Sequence, residues 1–333
     1  MNKLLFASTT LAALAALALL PMQANAQDAD ATECGEVSIA QMNWAAAEVT
    51  TNIAKFLLEQ GYGCSVSLVN SDTIPAITSV AENGEPDVVT NLWLNSAGDA
   101  YNRLEEGGTI TRLTSVLDPG GVEGWWIPTK LAEEHPELTT IEGVMKNPEL
   151  VGNQFNNCPD GWGCRVVSDN LVRALDLESA DIEVFNHGSG ETLASSMGSA
   201  VTDGKPWFGY YWGPTVPMGK YDMTRVKLGE YNEEAFANLQ NPDADNPQVS
   251  DFPAAPILTS VTTEFAKSHP EVTDFFRNMT FKTETMSGLL AWQDENNASA
   301  EEVAVHFLTD NPDVWSGWVN DQAKEKLSNL ISQ

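Results

Sequence analysis

Glu36-Val37-Ser38-Ile39-Ala40-Gln41-Met42 alternates apolar and polar residues as a half-buried strand does. Behind it, Ala45 to Gln60 reads as an amphipathic helix stopped by Gly61, and a second strand runs from Cys64 to Val69. Strand, helix and strand joined at this spacing make a right-handed parallel βαβ unit, so the starts of the two strands lie side by side. The stretch predicts an α/β fold. Cys34 and Cys64 sit at those two starts, which makes a Cys34–Cys64 disulfide geometrically sensible. The other two cysteines fall within Asn157-Cys158-Pro159-Asp160-Gly161-Trp162-Gly163-Cys164, where a bridge would staple a glycine-rich loop around one tryptophan. Four cysteines allow three connectivities, and Cys34–Cys64 with Cys158–Cys164 is the expected one.

Thr73 to Asn83 reads as the next helix and Pro86 to Trp93 as a third strand with a tryptophan at its carboxyl end. Ligands of open α/β sheets bind beyond the carboxyl ends of strands. Trp44, just past the first strand, falls on the same rim. A helix through Tyr101 and a short strand from Thr109 to Leu113 follow. Asp118-Pro119-Gly120-Gly121 then breaks the pattern, and the extended Val122 to Pro128 reads as the crossing into a second lobe. There, helices at Leu131 to Glu134 and Thr140 to Met145 lead to the stapled loop. Val166 to Leu175 and Glu191 to Thr202 read as helices and Ile182 to Phe185 as a strand. Pro206 to Trp212 is a buried aromatic strand that again ends in a tryptophan. Tyr231 to Pro256, rich in Asn, Asp and Pro, reads as a surface loop. A strand from Ile257 to Val261 and helices over Thr263–Asn278, Thr283–Glu295, Ala300–Thr309 and Asn311–Ile331 finish the chain. Two crossings make the first lobe discontinuous, residues 27–124 with 255–333, around a second lobe of 125–254.

Lys3, the apolar run from Leu4 to Leu20 and the small-x-small Ala24-Asn25-Ala26 predict a secretory signal over residues 1–26, cleaved near Ala26. A freely diffusing protein of a periplasm is the expectation, in a compartment where disulfides persist. The remaining chain of about 300 residues exceeds one comfortable core, which favours two lobes. Its formal net charge of −30 argues against nucleic acid, which needs clustered Lys and Arg, and against an anionic membrane surface. Acidity of this kind serves solubility.

Enzyme readings lack their parts. There is no G-x-S-x-G elbow, H-E-x-x-H, phosphate-binding loop or dinucleotide fingerprint. His135, His187, His269 and His306 are scattered, so a triad or a zinc site has little to build from. Asn186-His187-Gly188-Ser189-Gly190 before a helix could bind an anion through its amides, although a turn and cap explains it more simply. Asp243, Asp245 and Asp251 resemble a loose calcium loop but lack the spacing and glycine of an EF-hand. A solvated acidic loop is the plainer reading, and neither metal nor cofactor is expected.

The tryptophans match one ligand class. Ten of them against six tyrosines is an unusual balance. Indole faces carry negative quadrupole density and attract a cation too methylated to donate hydrogen bonds, by ~2 kcal/mol or more when desolvated. Trp44, Trp93, Trp162 and Trp212, two from each lobe, could form such a cage in a cleft that closes by hinge motion. Each taken singly reads more simply as a packing residue than as a ligand contact.

Four segments carry a resemblance: Gln41-Met42-Asn43-Trp44, Thr90-Asn91-Leu92-Trp93, the loop Asn157 to Cys164, and Phe208-Gly209-Tyr210-Tyr211-Trp212-Gly213-Pro214. With these the chain resembles the periplasmic solute-binding components of ABC importers that bind glycine betaine, proline betaine, choline and trimethylamine N-oxide. The resemblance implies a two-lobed α/β periplasmic binding protein fold of type II, with a discontinuous first lobe and a ligand cleft between the lobes. It implies cage roles for Trp93, Trp162 and Trp212, with Trp44 added as in choline binders. Gly163 and Cys164 would supply amide donors. A membrane ABC permease is the implied partner, and the protein itself is expected to be a monomer that catalyses nothing.

One departure bears on the ligand. Similar betaine binders hold the carboxylate with a histidine four residues beyond the tryptophan that matches Trp93, and here that position is Ala97. Glu123 falls near a position that is aromatic in choline binders. A carboxylate there would repel a betaine carboxylate, but could pair with a cation or share a proton with an N-oxide oxygen; otherwise it solvates the hinge. The expected ligand is trimethylamine N-oxide, ahead of glycine betaine and then choline, with a secreted enzyme on the same fold as the reading from another class.

Overall fold

In a computed structural model, residues 34–331 are described, and the signal sequence expected over 1–26 lies outside them. The strands in chain order are β1 (Glu36–Met42), β2 (Ser65–Ser71), β3 (Val88–Trp93), β4 (Ile110–Ser115), β5 (Leu117–Asp118), β6 (Val122–Pro128), β7 (Gln154–Asn157), β8 (Glu183–Asn186), β9 (Gly209–Gly213), β10 (Met223–Val226), β11 (Ile257–Thr262) and β12 (Phe281–Lys282). They form two mixed five-stranded sheets, ordered β2-β1-β3-β11-β4 and β10-β6-β9-β7-β8, and the small pair β12-β5. Each sheet is the centre of one lobe. Among the described residues, no helix is long and apolar enough to cross a membrane.

The opening stretch folds as its period demands. Val37, Ile39, Ala40 and Met42 are buried, and β1 pairs in parallel with β2 from Glu36 opposite Ser65 to Met42 opposite Ser71. This register brings Cys34 beside Cys64, and the two are disulfide-bonded, as are Cys158 and Cys164. The crossover helix runs Ala45–Leu57 and widens into a π-helical turn, Leu58–Tyr62, which ends at the left-handed Gly63. It passes through Gly61 because that residue answers to packing: a Cβ there would lie 3.0 Å from Leu327 and 3.1 Å from Ala323. Strand β3 lies in the sheet interior and is buried at every position.

In the second sheet β6 runs antiparallel to β9, with Glu123 opposite Trp212 and Trp125 opposite Tyr210. Trp125 is a core residue, tilted against Phe155 and edge-on to Phe208. Because β6 begins at Val122, the boundary read after Gly124 cuts a strand of the second sheet. The two crossing segments meet as an isolated antiparallel bridge: Gly121 N donates to Ala255 O at 3.0 Å, and Ala255 N to Gly121 O at 3.3 Å.

Several expected elements change. Strands β7 and β10 leave no signal in the sequence, since each is only four residues long and β7 is mostly polar. The segment read as a surface loop, Tyr231 to Pro256, contains the helix Glu233–Leu239 and buries Phe236, Leu239, Ala244 and Phe252. The helix expected over Thr263–Asn278 breaks before Pro270 into Thr263–Ser268 and Pro270–Asn278, because proline fits only the first turn of a helix. The last helix likewise divides into Pro312–Trp315 and Asp321–Ile331.

Candidate functional site

Between the two sheets lies a small cavity walled by Trp44, Thr73, Trp93, Ser96, Trp162, Gly163, Cys164, Tyr210 and Trp212. All four tryptophans singled out from the sequence reach it. So do Gly163 and Cys164. Sequence reasoning missed Thr73, Ser96 and Tyr210, which provide hydroxyl groups.

The placement follows from local structure. Trp44, Trp93 and Trp162 each occupy the cap position where the chain passes into a helix, Ala45–Leu57, Leu94–Glu106 and Gly163–Leu175 respectively. Thr73 opens a fourth helix, Thr73–Asn83. Four helix amino termini therefore converge on one cavity. Amides of a first helical turn have no intrahelical acceptor and carry the positive end of the helix dipole. Gly163 and Cys164 are the first two residues of their helix, so the cavity combines electron-rich indole walls with a field that favours an oxyanion. The helix starts at Gly163 rather than at the expected Val166.

The indoles are fixed by hydrogen bonds. Trp162 Nε1 donates to Asn43 Oδ1 at 2.7 Å, across the lobes. Trp44 Nε1 donates to Asn91 Oδ1 at 3.2 Å, and the Asn91 amide donates in turn to Thr50 Oγ1 at 3.0 Å. Asn91 is wholly buried and holds a left-handed φ of 57°, which costs a non-glycine residue free energy and is characteristic of sites under functional constraint. Trp162 meets Trp44 and Trp212 edge-on, with ring centroids 5.5 and 5.0 Å away. Behind Trp93 lies Gly121 of the crossing segment, where a Cβ would be 2.3 Å from Trp93 Cη2. An asparagine stands in the residue or two before Trp44 and before Trp93, which was the available signal for these supports.

Glu123 does not line the cavity. It stands behind Tyr210, whose hydroxyl donates to Glu123 Oε2 at 2.9 Å, while Oε1 is buried without a hydrogen-bond partner. Burial pushes the Glu123 carboxyl up to about 7, opposed by the Tyr210 hydrogen bond, by the neighbouring Asn95 amide and by the charge of Arg225. Burial and the carboxylate beside it keep the Tyr210 phenol protonated well above its ordinary range. Ala97 is buried in its helix and also stays out of the lining.

The lobes touch around the cavity. Ile74 N donates to Gly161 O at 3.2 Å. Gln240 Nε2 donates to Leu94 O at 3.2 Å and to Asn95 O at 2.9 Å. Lys220 pairs with Asp294.

The remaining motifs serve structure. Ser189 caps the helix Gly190–Asp203 in a capping box with Thr192, which accounts for the run from Asn186 to Gly190. His187 is buried against Asn156 at 3.0 Å, and burial lowers its pKa. Asp251 pairs with Arg225 at 2.5 Å, and among the described residues no three His, Cys, Asp or Glu side chains converge as metal ligands.

Residues 35–310 match the profile of the substrate-binding domain of ABC-type glycine betaine transport systems. The chain belongs to this family. It is thus a substrate-binding protein of an ABC importer for quaternary amines and not an enzyme. The trimethylamine N-oxide-binding protein of Pelagibacter ubique is 22% identical over 287 residues, covering 82% of this chain and 87% of the relative. The glycine betaine/proline betaine-binding periplasmic protein of Salmonella typhimurium is 22% identical over 267 residues, 73% of this chain and 77% of that one. The crystal structure of the glycine betaine/L-proline-binding protein of Borrelia burgdorferi superposes with a TM-score of 0.73 at 15% identity, covering 88% of this chain and 99% of the other. The family's two-lobed α/β fold is the one built above.

Proposed function

We propose that this protein captures trimethylamine N-oxide in the tryptophan cage and delivers it, after export to the periplasm, to a membrane ABC permease. The observation that carries the reading is the pairing of opposite fields in one small cavity. Four indoles suit a trimethylated nitrogen, and converging helix amino termini suit a negative oxygen next to it. A zwitterion meets both requirements, whereas choline offers the second nothing but a neutral hydroxyl.

Between the two zwitterions, the N-oxide is favoured by Ala97, which cannot hold a carboxylate, and by Glu123. Glu123, whose carboxyl burial pushes up to about 7, holds the Tyr210 hydroxyl at the cavity edge and in its ionised form opposes a second carboxylate nearby. The likeness to the Pelagibacter ubique protein points the same way. Glycine betaine is the second reading, supported by the Gly163 and Cys164 amides, which can also bind a carboxylate, and by the Salmonella relative.

The test is Glu123→Gln in calorimetric titrations with trimethylamine N-oxide, glycine betaine and choline. Loss of affinity for the N-oxide beyond any loss for betaine supports the assignment; equal losses for all three would make Glu123 purely structural and return betaine to the lead.

A further inference from the structure

Gly190 opens the helix Gly190–Asp203, directly after its cap Ser189. Its φ lies outside the left-handed region, and alanine is the better helix former. Nothing in the backbone asks for glycine there. What the missing side chain accommodates is Trp162: a Cβ on residue 190 would stand 2.8 Å from Cη2 and 3.1 Å from Cζ2 of that indole. Apart from its own helix and chain neighbours, no other atom comes within 4 Å.

The indole cannot retreat freely. Its Nε1 is tied to Asn43, its ring meets Trp44 and Trp212, and its backbone belongs to the Cys158–Cys164 loop. An added methyl group must displace the ring by about 0.7 Å to restore an ordinary carbon–carbon contact. The bonds on its other edges turn that displacement into a narrower cage.

We propose that Gly190 is a specificity-determining position that touches no ligand: by leaving the space beside Trp162 empty, it sets the width available to a trimethylated nitrogen. This rests on the tryptophan cage being the ligand site. Gly188, two residues earlier, provides an internal control, since a Cβ there would meet nothing within 4 Å.

The experiment compares wild type, Gly190→Ala and Gly188→Ala, each stripped of ligand, by titration calorimetry and thermal melting. The probes are trimethylamine N-oxide, glycine betaine and choline, each paired with its homologue lacking one methyl: N,N-dimethylhydroxylamine, dimethylglycine and dimethylethanolamine. For the trimethylated ligand that wild type binds, Gly190→Ala is expected to lose at least tenfold in affinity. Its preference for the trimethylated over the dimethylated partner should fall by a comparable factor, with no loss in the ligand-free melting temperature. Gly188→Ala should match wild type. An unchanged preference in Gly190→Ala, or the same loss in Gly188→Ala, would overturn the proposal. Wild type that binds none of the probes would instead overturn the cage reading beneath it.

Discussion

Tyr210 donates its hydroxyl hydrogen to Glu123 Oε2 over 2.9 Å, and both side chains are buried on the same face of the second sheet. One residue lines the cavity and the other supports it. Because burial raises the Glu123 carboxyl from 4.5 to about 7, the folded protein holds a proton that the unfolded chain releases. Stability from this group is present in full below the lower value and is lost as pH rises through the upper one. The loss is on the order of 3 kcal/mol. Denaturant unfolding of ligand-free wild type and Glu123→Gln between pH 4.5 and 8 measures it: the gap between them should move in favour of the glutamine variant as pH rises. Parallel curves would mean that Glu123 ionises without cost.

Trp212 stacks on Tyr211 and meets Trp162 edge-on, so its removal opens one wall of the cage. Trp212→Ala should lower affinity for the bound methylamine at least thirtyfold, the equivalent of about 2 kcal/mol of cation–π attraction. Trp93→Ala should do the same. Circular dichroism of both variants should remain native, and calorimetry with unchanged affinity in either would remove that tryptophan from the site.

The two disulfides should separate stability from binding. Cys34–Cys64 spans 30 residues and Cys158–Cys164 only 6; chain-entropy arguments give roughly 4 and 2 kcal/mol for loops of these sizes. Replacing the first pair with alanine should lower the melting temperature more. Replacing the second should weaken ligand binding more, because it frees the backbone that carries Trp162. Melting and titration of the two double variants decide between this division and a merely structural short loop.

Gln240 reaches from the second lobe to two carbonyls at the start of the helix behind Trp93, and a Cβ on Gly98 would collide with it at 2.1 Å. It can act only when the lobes meet. Gln240→Ala should weaken every ligand by the same factor, roughly three- to tenfold for neutral hydrogen bonds of about 0.5–1.5 kcal/mol. A change in the order of preference among ligands would show that Gln240 shapes the cavity and does not act through closure.

Much of this architecture is legible in the chain because strands and helices there follow their own periods. β1, β3, β9 and β11 carry dense apolar patterns, and Trp44, Trp93 and Trp212 sit at or just past the carboxyl ends of three of them. Residues whose roles depend on contacts across the sheet were not legible. Tyr210 lies two residues before Trp212 on the same strand face, yet nothing local distinguishes it from the neighbouring Tyr211, which does not line the cavity. Glu123 was read as close to the ligand; β6 pairing places it opposite Trp212 but behind Tyr210. Short β7, the buried part of the Asn- and Asp-rich segment and the glycine beside Trp162 are set by packing between distant segments, which no local period reports.

Titration calorimetry on ligand-stripped wild-type protein, with trimethylamine N-oxide, glycine betaine and choline at one salt concentration, reads the preference of the cage itself. Micromolar or tighter binding of the N-oxide, with weaker betaine and feeble choline binding, is the expected result. Choline binding as tightly as either zwitterion would contradict the role assigned to the converging helix termini, and betaine above the N-oxide would contradict the roles of Ala97 and Glu123.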